Sequence, residues 1–314
     1  MSQASPLRIL VIGAGAVGGY FAARLAAAGR DVTILVRPGR AGQLRKTGLQ
    51  VFSPHGDVTV QPKLLLASEL KEPFDLILLS TKAYSLDAAM NDFAPAVGPE
   101  TAILPLLNGM RHLDALTARF GKQAVLGGLS RIVADLDPEG RVHQFGPLHD
   151  IVFGELNREV TPRIQAIDAA LRDCGFPSTL SPDILASMWM KWVLLSSLAG
   201  TTCLLRASVG QIEAVKYGTG LVRSIVDESA SVAAANGYPQ DPAFIQSHKA
   251  RMTEPGSTLT ASMFRDLSKG QPVESEQILG DFLARAAAHG VHPPLLTAAY
   301  VQLTVYANSG RNVS

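Results

Sequence analysis

Two kinds of hydrophobic pattern divide the chain. In the N-terminal part, short dense apolar runs alternate with stretches of helical spacing. The runs are Arg8–Ile12 (RILVI), Asp31–Val36 (DVTILV), Phe74–Ser80 (FDLILLS), Thr101–Leu107 (TAILPLL) and Ala124–Leu129. Such runs predict strands buried on both faces of a parallel sheet. Gly19–Ala28 carries Ala, Leu and Phe at helical spacing and stops at Gly29. Leu49–Phe52 and Val58–Val60 flank Ser53-Pro54-His55-Gly56-Asp57, which predicts a hairpin with His55 exposed in its turn. Ile132–Ala134, Val142–Gln144 and Asp150–Phe153 predict further short strands, with a turn at Asp137-Pro138-Glu139-Gly140, and Thr161–Cys174 predicts an amphipathic helix. From Asp183 on, strand-like runs vanish. Helical periodicity predicts helices over Asp183–Leu205, Val209–Asn236, Pro242–Met252, Thr258–Ser268, Glu274–His289 and Pro294–Asn308. Prolines between Phe176 and Pro182 mark the change, so the expected domains are residues 1–180 and 181–314.

Composition narrows this picture without redirecting it. A length of 314 residues suits two domains. With 47% hydrophobic and 18% charged residues, a large core is readily built and global disorder is excluded. A formal net charge of +1 gives no reason to expect nucleic acid or a membrane as partner. No uncharged apolar run of about 18 residues predicts a membrane span. After the polar stretch Ser2–Ser5, the glycine-dense run containing Arg24 does not read as a secretory signal. Cys174 and Cys203 have no metal-ligand spacing, which leaves no expected metal and points to a reducing cytoplasm.

The first strand runs directly into Gly13-Ala14-Gly15-Ala16-Val17-Gly18. Strand, GxGxxG, helix and second strand within one short span form a dinucleotide-binding fingerprint. Gly13 permits the tight turn, Gly15 lets backbone approach a diphosphate, and Gly18 lets helix and strand pack closely. The expected fold class is therefore an α/β Rossmann-like N-terminal domain with a mostly parallel sheet, plus an all-α C-terminal domain. The end of the second strand selects the cofactor. An acid there would bind a ribose hydroxyl, but the strand ends Val36-Arg37-Pro38-Gly39-Arg40, and Asp31 lies at its other end. Arg37 suits a 2′-phosphate, with Arg40 as a possible helper, so NADP (NADPH) is expected. Lys82 and Asn108 follow the carboxyl ends of later strands, where open α/β sheets bind ligands. Both are expected on the nicotinamide side.

In the helical half, Lys191 interrupts the apolar run Met188-Trp189-Met190-Lys191-Trp192-Val193-Leu194-Leu195. A lysine there must snorkel, pair or enter a polar cleft. Glu274 stands after Gly270-Gln271-Pro272-Val273, where a helix would begin.

Together, Gly13–Gly18, Thr81-Lys82-Ala83, Leu107-Asn108-Gly109-Met110, the Lys191 helix, Ser262-Met263 with Asp266, and Glu274 with Glu276 and Gly280 resemble the ketopantoate reductase family (2-dehydropantoate 2-reductase). The resemblance implies a cytoplasmic NADPH-dependent reductase with its active site in a cleft between the two domains, acting in pantothenate biosynthesis. It implies Lys191 as general acid and Glu274 as a substrate-orienting or lysine-tuning carboxylate near the cofactor. Asn108 and Ser262 would contact a small 2-oxo acid. The family often carries asparagines where this chain has Leu195, Ala199 and Leu259. Losing hydroxyl-reading groups would favour a more apolar 2-oxo acid than ketopantoate. A non-catalytic NADP-binding sensor on the same scaffold is the alternative from another class. Apolar helical faces such as Leu295–Val305 leave a homodimer open.

Overall fold

The computed structural model describes residues 6–309, so the polar stretch Ser2–Ser5 lies outside them. The chain divides into two compact units. One holds the chain up to Leu107 together with His112–Leu185; the other holds Asn108–Arg111 and the chain from Ala186 onward.

In chain order the first unit runs β1 (Arg8–Ile12), α1 (Ala16–Ala27), β2 (Asp31–Leu35), α2 (Pro38–Thr47), β3 (Leu49–Phe52), β4 (Val58–Val60), β5 (Lys63–Leu65), β6 (Leu76–Leu79), α3 (Leu86–Phe93) and β7 (Ala102–Pro105). It continues with α4 (Arg111–Phe120), β8 (Leu126–Leu136), β9 (Val142–Glu155), α5 (Pro162–Leu171) and β10 (Ser178–Leu180). Five strands form an all-parallel sheet in the order β5-β2-β1-β6-β7. Its central strands are apolar because they are covered, with α1 lying between this sheet and a second one. Ile9, Leu10, Val11, Ile34 and Leu76–Leu79 have no exposed surface, and Tyr20, Phe21 and Leu25 of α1 pack against them.

The second sheet has the order β10-β9-β3-β4, with β8 antiparallel to β9. Here the short strands expected at Ile132–Ala134, Val142–Gln144 and Asp150–Phe153 are corrected. They merge into two long strands, β8 and β9, paired from Leu126↔Glu155 to Leu136↔Val142 with one bulge between Ile132 and Val133. Polar residues inside the strands hid this continuity. Arg131 and Asp150, for example, are cross-strand partners joined by a two-pronged ion pair, so the ladder runs on where the apolar pattern stops. The turn at Asp137–Gly140 and the β3–β4 hairpin form as expected. His55 is exposed in the hairpin turn and stacks on His149 with ring centroids 3.6 Å apart. Thr161 caps α5 by accepting from the Ile164 amide. That helix ends at Leu171 rather than Cys174, since Asp173 is left-handed at φ 57°. The unit extends past the prolines to Leu185. β10 still pairs with β9, and Ile184 fills the space above Gly127 and Gly154.

The second unit comprises α6 (Ile184–Leu205), α7 (Val209–Glu213), α8 (Gly218–Ala235), α9 (Pro242–Met252), α10 (Ser262–Ser268), a π turn (Glu276–Gly280), α11 (Asp281–Ala288) and α12 (Pro294–Ser309). The single helix expected over Val209–Asn236 is two. Tyr217 is left-handed at φ 72°, and a Cβ on Gly218 would lie 1.8 Å from the Ile212 carbonyl oxygen. The helix expected from Thr258 starts only at Ser262, and the one expected from Glu274 opens with the π turn. By length and composition alone α6 could cross a membrane, with mean hydropathy 1.2. That apolar character is used inside the protein, where 61% of the segment is buried. Trp189 and Trp192 of α6 pack with Phe282 and Tyr238 at ring-centroid distances from 4.9 to 6.0 Å.

Candidate active site

The glycine loop sits where β1 hands over to α1, and each glycine is required for a different reason. Gly13 has φ +99°, and a Cβ there would stand 2.7 Å from the Ser80 carbonyl oxygen. On Gly18 a Cβ would lie 2.0 Å from the Gly13 carbonyl oxygen, so only hydrogen permits the approach of helix to turn. At Gly15, the N-cap of α1, a Cβ would meet nothing within 4 Å. The loop is thus open just in front of the helix N-terminus. No side chain caps α1 and no acid stands in its first turn, which leaves free amides and the positive end of the helix dipole to an anion. Beside Gly13, the Thr81 hydroxyl is buried with no hydrogen-bond partner. An open cradle, free amides and an orphaned hydroxyl fit the diphosphate of a dinucleotide.

Arg37 is exposed at the N-cap of α2, and among the described residues its guanidinium has no partner. Arg40 is different. It donates to Gln43 Oε1 at 2.6 Å and to the Gly140 carbonyl at 2.8 Å, so it ties α2 to the β8–β9 turn, and among the described residues only its buried Nε is left without a partner. Burial pushes its pKa down. Asp31 pairs with Lys63 at 2.7 Å, away from this end of the strand. Lys82 is exposed just beyond β6, where its carbonyl accepts from the Ser85 amide.

Asn108, Lys191, Ser262 and Glu274 all belong to the second unit. Lys191 is half-buried on α6, and one and two turns further along its face stand Leu195, half-buried, and Ala199, buried. The neighbouring Trp192 donates from Nε1 to the Ile278 carbonyl at 2.9 Å, which fixes α6 to the π turn that begins two residues after Glu274. Glu274 is half-buried, and its carbonyl accepts from the Ile278 amide. From the same turn, Gln277 donates to the Asn108 carbonyl at 2.8 Å. Gly109 is left-handed at φ +70°, and a Cβ there would lie 2.4 Å from the Gln277 carbonyl oxygen. Thr202, further along α6, accepts from the Ala261 amide next to Ser262. Ser262 is exposed at the start of α10. Among the described residues the side chains of Asn108 and Ser262 make no hydrogen bond. The Glu276 carboxylate lies over Gly280, accepts from the Tyr300 hydroxyl at 2.7 Å and pairs with Arg111 at 3.3 Å. That hydrogen bond raises the Tyr300 pKa.

Thr81 and Gln277 were not singled out in the sequence. Thr81 could have been found, since it opens the Thr81-Lys82-Ala83 motif. Gln277 carries no sequence signal, because its role depends on a turn geometry that periodicity does not reveal.

An open glycine loop on a parallel sheet, followed by a helical unit with a lysine set in an apolar helix, defines a nucleotide-dependent oxidoreductase of two units. Residues 9–158 match the family model "Ketopantoate reductase PanE/ApbA", and residues 183–307 match "Ketopantoate reductase PanE/ApbA C terminal". The chain belongs to the ketopantoate reductase family and is an NADP-dependent oxidoreductase. It is 37% identical over 300 residues to the uncharacterized oxidoreductase YkpB of Bacillus subtilis (strain 168), covering 96% of this chain and 99% of that one. It is 28% identical to the 2-dehydropantoate 2-reductase of Lactococcus lactis, covering 92% and 94% of the two chains. The crystal structure of 2-dehydropantoate 2-reductase from Geobacter metallireducens superposes with a TM-score of 0.86 at 29% identity, covering 95% of this chain and 99% of that one.

Proposed function

We propose that this protein reduces the keto group of a small 2-oxo acid to a hydroxyl with NADPH as donor, and that Lys191 is the general acid. The observation that carries the proposal is a half-buried lysine on an apolar helix, in one hydrogen-bonded framework with Glu274 and the unspent side chains of Asn108 and Ser262. When bound, NADPH supplies the hydride. Gly13–Gly18, with Ala14, Ala16 and Val17, hold its diphosphate, Arg37 grips the 2′-phosphate, and Lys82 and Asn108 serve the nicotinamide side. As negative charge grows on the keto oxygen, the Lys191 ammonium stabilises it and gives up a proton. Ser262 donates to the substrate carboxylate, and Glu274 orients substrate and lysine.

Family membership favours ketopantoate as the acid reduced. A second reading, a more apolar 2-oxo acid, is favoured by the face of Lys191 itself. Leu195 and Ala199 on that face, and Leu259 before Ser262, offer no donor or acceptor to a substrate hydroxyl. NADPH oxidation measured over ketopantoate and a series of aliphatic and aromatic 2-oxo acids separates the two. Turnover of none of them would leave only nucleotide binding. In Lys191→Ala, kcat should fall by about 10²–10⁴-fold with NADPH affinity retained. A parental rate would end the acid role.

The buried, free cysteines Cys174 and Cys203 support a reducing cytoplasm as the compartment. Burial pushes the Cys203 thiol up to about 12, so it stays protonated and inert. Homodimerisation through the uncharged outer face of α12, where Val301 and Val305 are exposed, belongs to the same proposal and is read by light scattering.

A further inference from the structure

We infer that Gln277 is a positioning residue, acting through the π turn to hold Asn108 in its working place; this rests on Asn108 belonging to the active site. The π turn closes with the Asp281 amide donating to the Glu276 carbonyl, a five-residue register that re-aims the side chains within it. The turn grips the Asn108-Gly109 dipeptide at two points. The Gln277 side-chain amide donates to the Asn108 carbonyl at 2.8 Å, and the Gln277 carbonyl lies where any Cβ on Gly109 would intrude. Gln277 is 5% exposed, so this hydrogen bond is shielded from water. A further link between this turn and the same segment is the Arg111–Glu276 pair. Both of its side chains are more than half exposed, and an ion pair in that setting holds little. The buried amide is therefore the contact that fixes the segment.

The result is a backbone that is pinned and a side chain that is unspent. Among the described residues the Asn108 amide group has no hydrogen-bond partner. A recognising residue needs that combination, with its own freedom removed by neighbours that do not use up its polar atoms. The same turn accepts from Trp192, next to Lys191, and begins two residues after Glu274. One π turn thus sets Asn108 relative to the proposed acid and its carboxylate.

The test compares Gln277→Met, which keeps size and loses the donor, with Asn108→Ala and the double variant. Two readouts are used: amide hydrogen exchange at Gly109–Arg111 in the ligand-free protein, and kcat and KM for ketopantoate with NADPH. In Gln277→Met, exchange at these amides should rise about tenfold, the value of one neutral hydrogen bond, and kcat should fall by a similar factor with KM little changed. Groups acting as one unit are not additive, so adding Gln277→Met to Asn108→Ala should cost nothing further. Unchanged protection at Gly109–Arg111 overturns the clamp, and so do losses that multiply in the double variant. If Asn108→Ala alone leaves turnover intact, the site assignment fails, and the positioning role falls with it. Should Gln277→Met not fold, Gln277→Leu removes the donor with a smaller side chain and is judged by the same outcomes.

Discussion

At the scale of single residues, the chemistry is set by which polar atoms are spent and which are left open. Arg40 is spent on Gln43 and Gly140, while Arg37 is not, although both follow the same strand. A charged hydrogen-bond donor is worth about 1.5–3 kcal/mol, so Arg37→Ser should weaken NADPH binding by about ten- to a hundredfold and leave NADH binding nearly unaltered. Equal losses for both nucleotides in a fluorescence titration would refute its role at the 2′-phosphate. His248 makes a different point. It is 6% exposed, hydrogen-bonds Ser197 at 2.7 Å, and has a pKa lowered to about 4, chiefly by burial and then by Arg251. The folded protein holds this ring neutral, whereas the unfolded chain protonates it near 6.5. Its contribution is complete above pH 6.5 and is lost as pH falls from there toward 4. The loss is about 3 kcal/mol at 1.36 kcal/mol for each pKa unit. Urea unfolding measured at both ends of that window should reveal the difference, and His248→Gln should flatten it. A parental slope in that variant would assign the acid sensitivity to other groups.

At the scale of elements, the breaks in helices carry as much information as the helices. α7 and α8 are separated because Tyr217 is left-handed, and it is also 79% exposed with Lys216 over its ring. Left-handed geometry costs a non-glycine residue about 1–2 kcal/mol, partly offset in a glycine variant by greater freedom of the unfolded chain. Tyr217→Gly should therefore raise stability by about 0.5 kcal/mol, read as a higher urea midpoint at constant slope. A lower midpoint would mean that the exposed ring supports the fold. The π turn is the second such break. Helical spacing across Glu274–His289 is legible in the sequence, but the five-residue register inside it is not, since a single turn is too short for apolar periodicity to distinguish the two registers. The full length of β8 and β9 is hidden in the sequence for a different reason. Arg131, Asp150 and Gln144 interrupt the apolar pattern, yet they are satisfied across the ladder or by nearby backbone and do not end the strands.

At the scale of the whole molecule, the chain is built of two compact units, and the proposed groups are divided between them. The nucleotide cradle lies in the unit of the parallel sheet, and the proposed acid lies in the helical unit. Ligand that binds only the folded form stabilises it by about 2.7 kcal/mol at a hundredfold excess over Kd. With NADPH at that excess, hydrogen exchange should slow at β1, α1 and the Ser80–Thr81 turn, and remain as before in α8 and α9. Protection confined to the helical unit would contradict a cradle at Gly13–Gly18.

The sequence alone determined the parallel sheet, the glycine loop, the change to helices after the prolines, and the candidates Lys191, Asn108, Ser262 and Glu274. The sheet, the loop, the helices and the positions of Lys191, Asn108 and Glu274 follow from local rules: apolar periodicity, the steric freedom of glycine, the binding of ligands beyond strand ends, and the cost of placing a charge among apolar neighbours; Ser262 entered only through the family resemblance. Tertiary structure alone decided that Arg40 ties α2 to the β8–β9 turn, that Thr81 is orphaned beside Gly13, and that Gln277 grips Asn108 from a distant part of the chain. Those facts are hydrogen bonds and close approaches between residues far apart in the chain, and no pattern of neighbours along a sequence specifies where such partners meet.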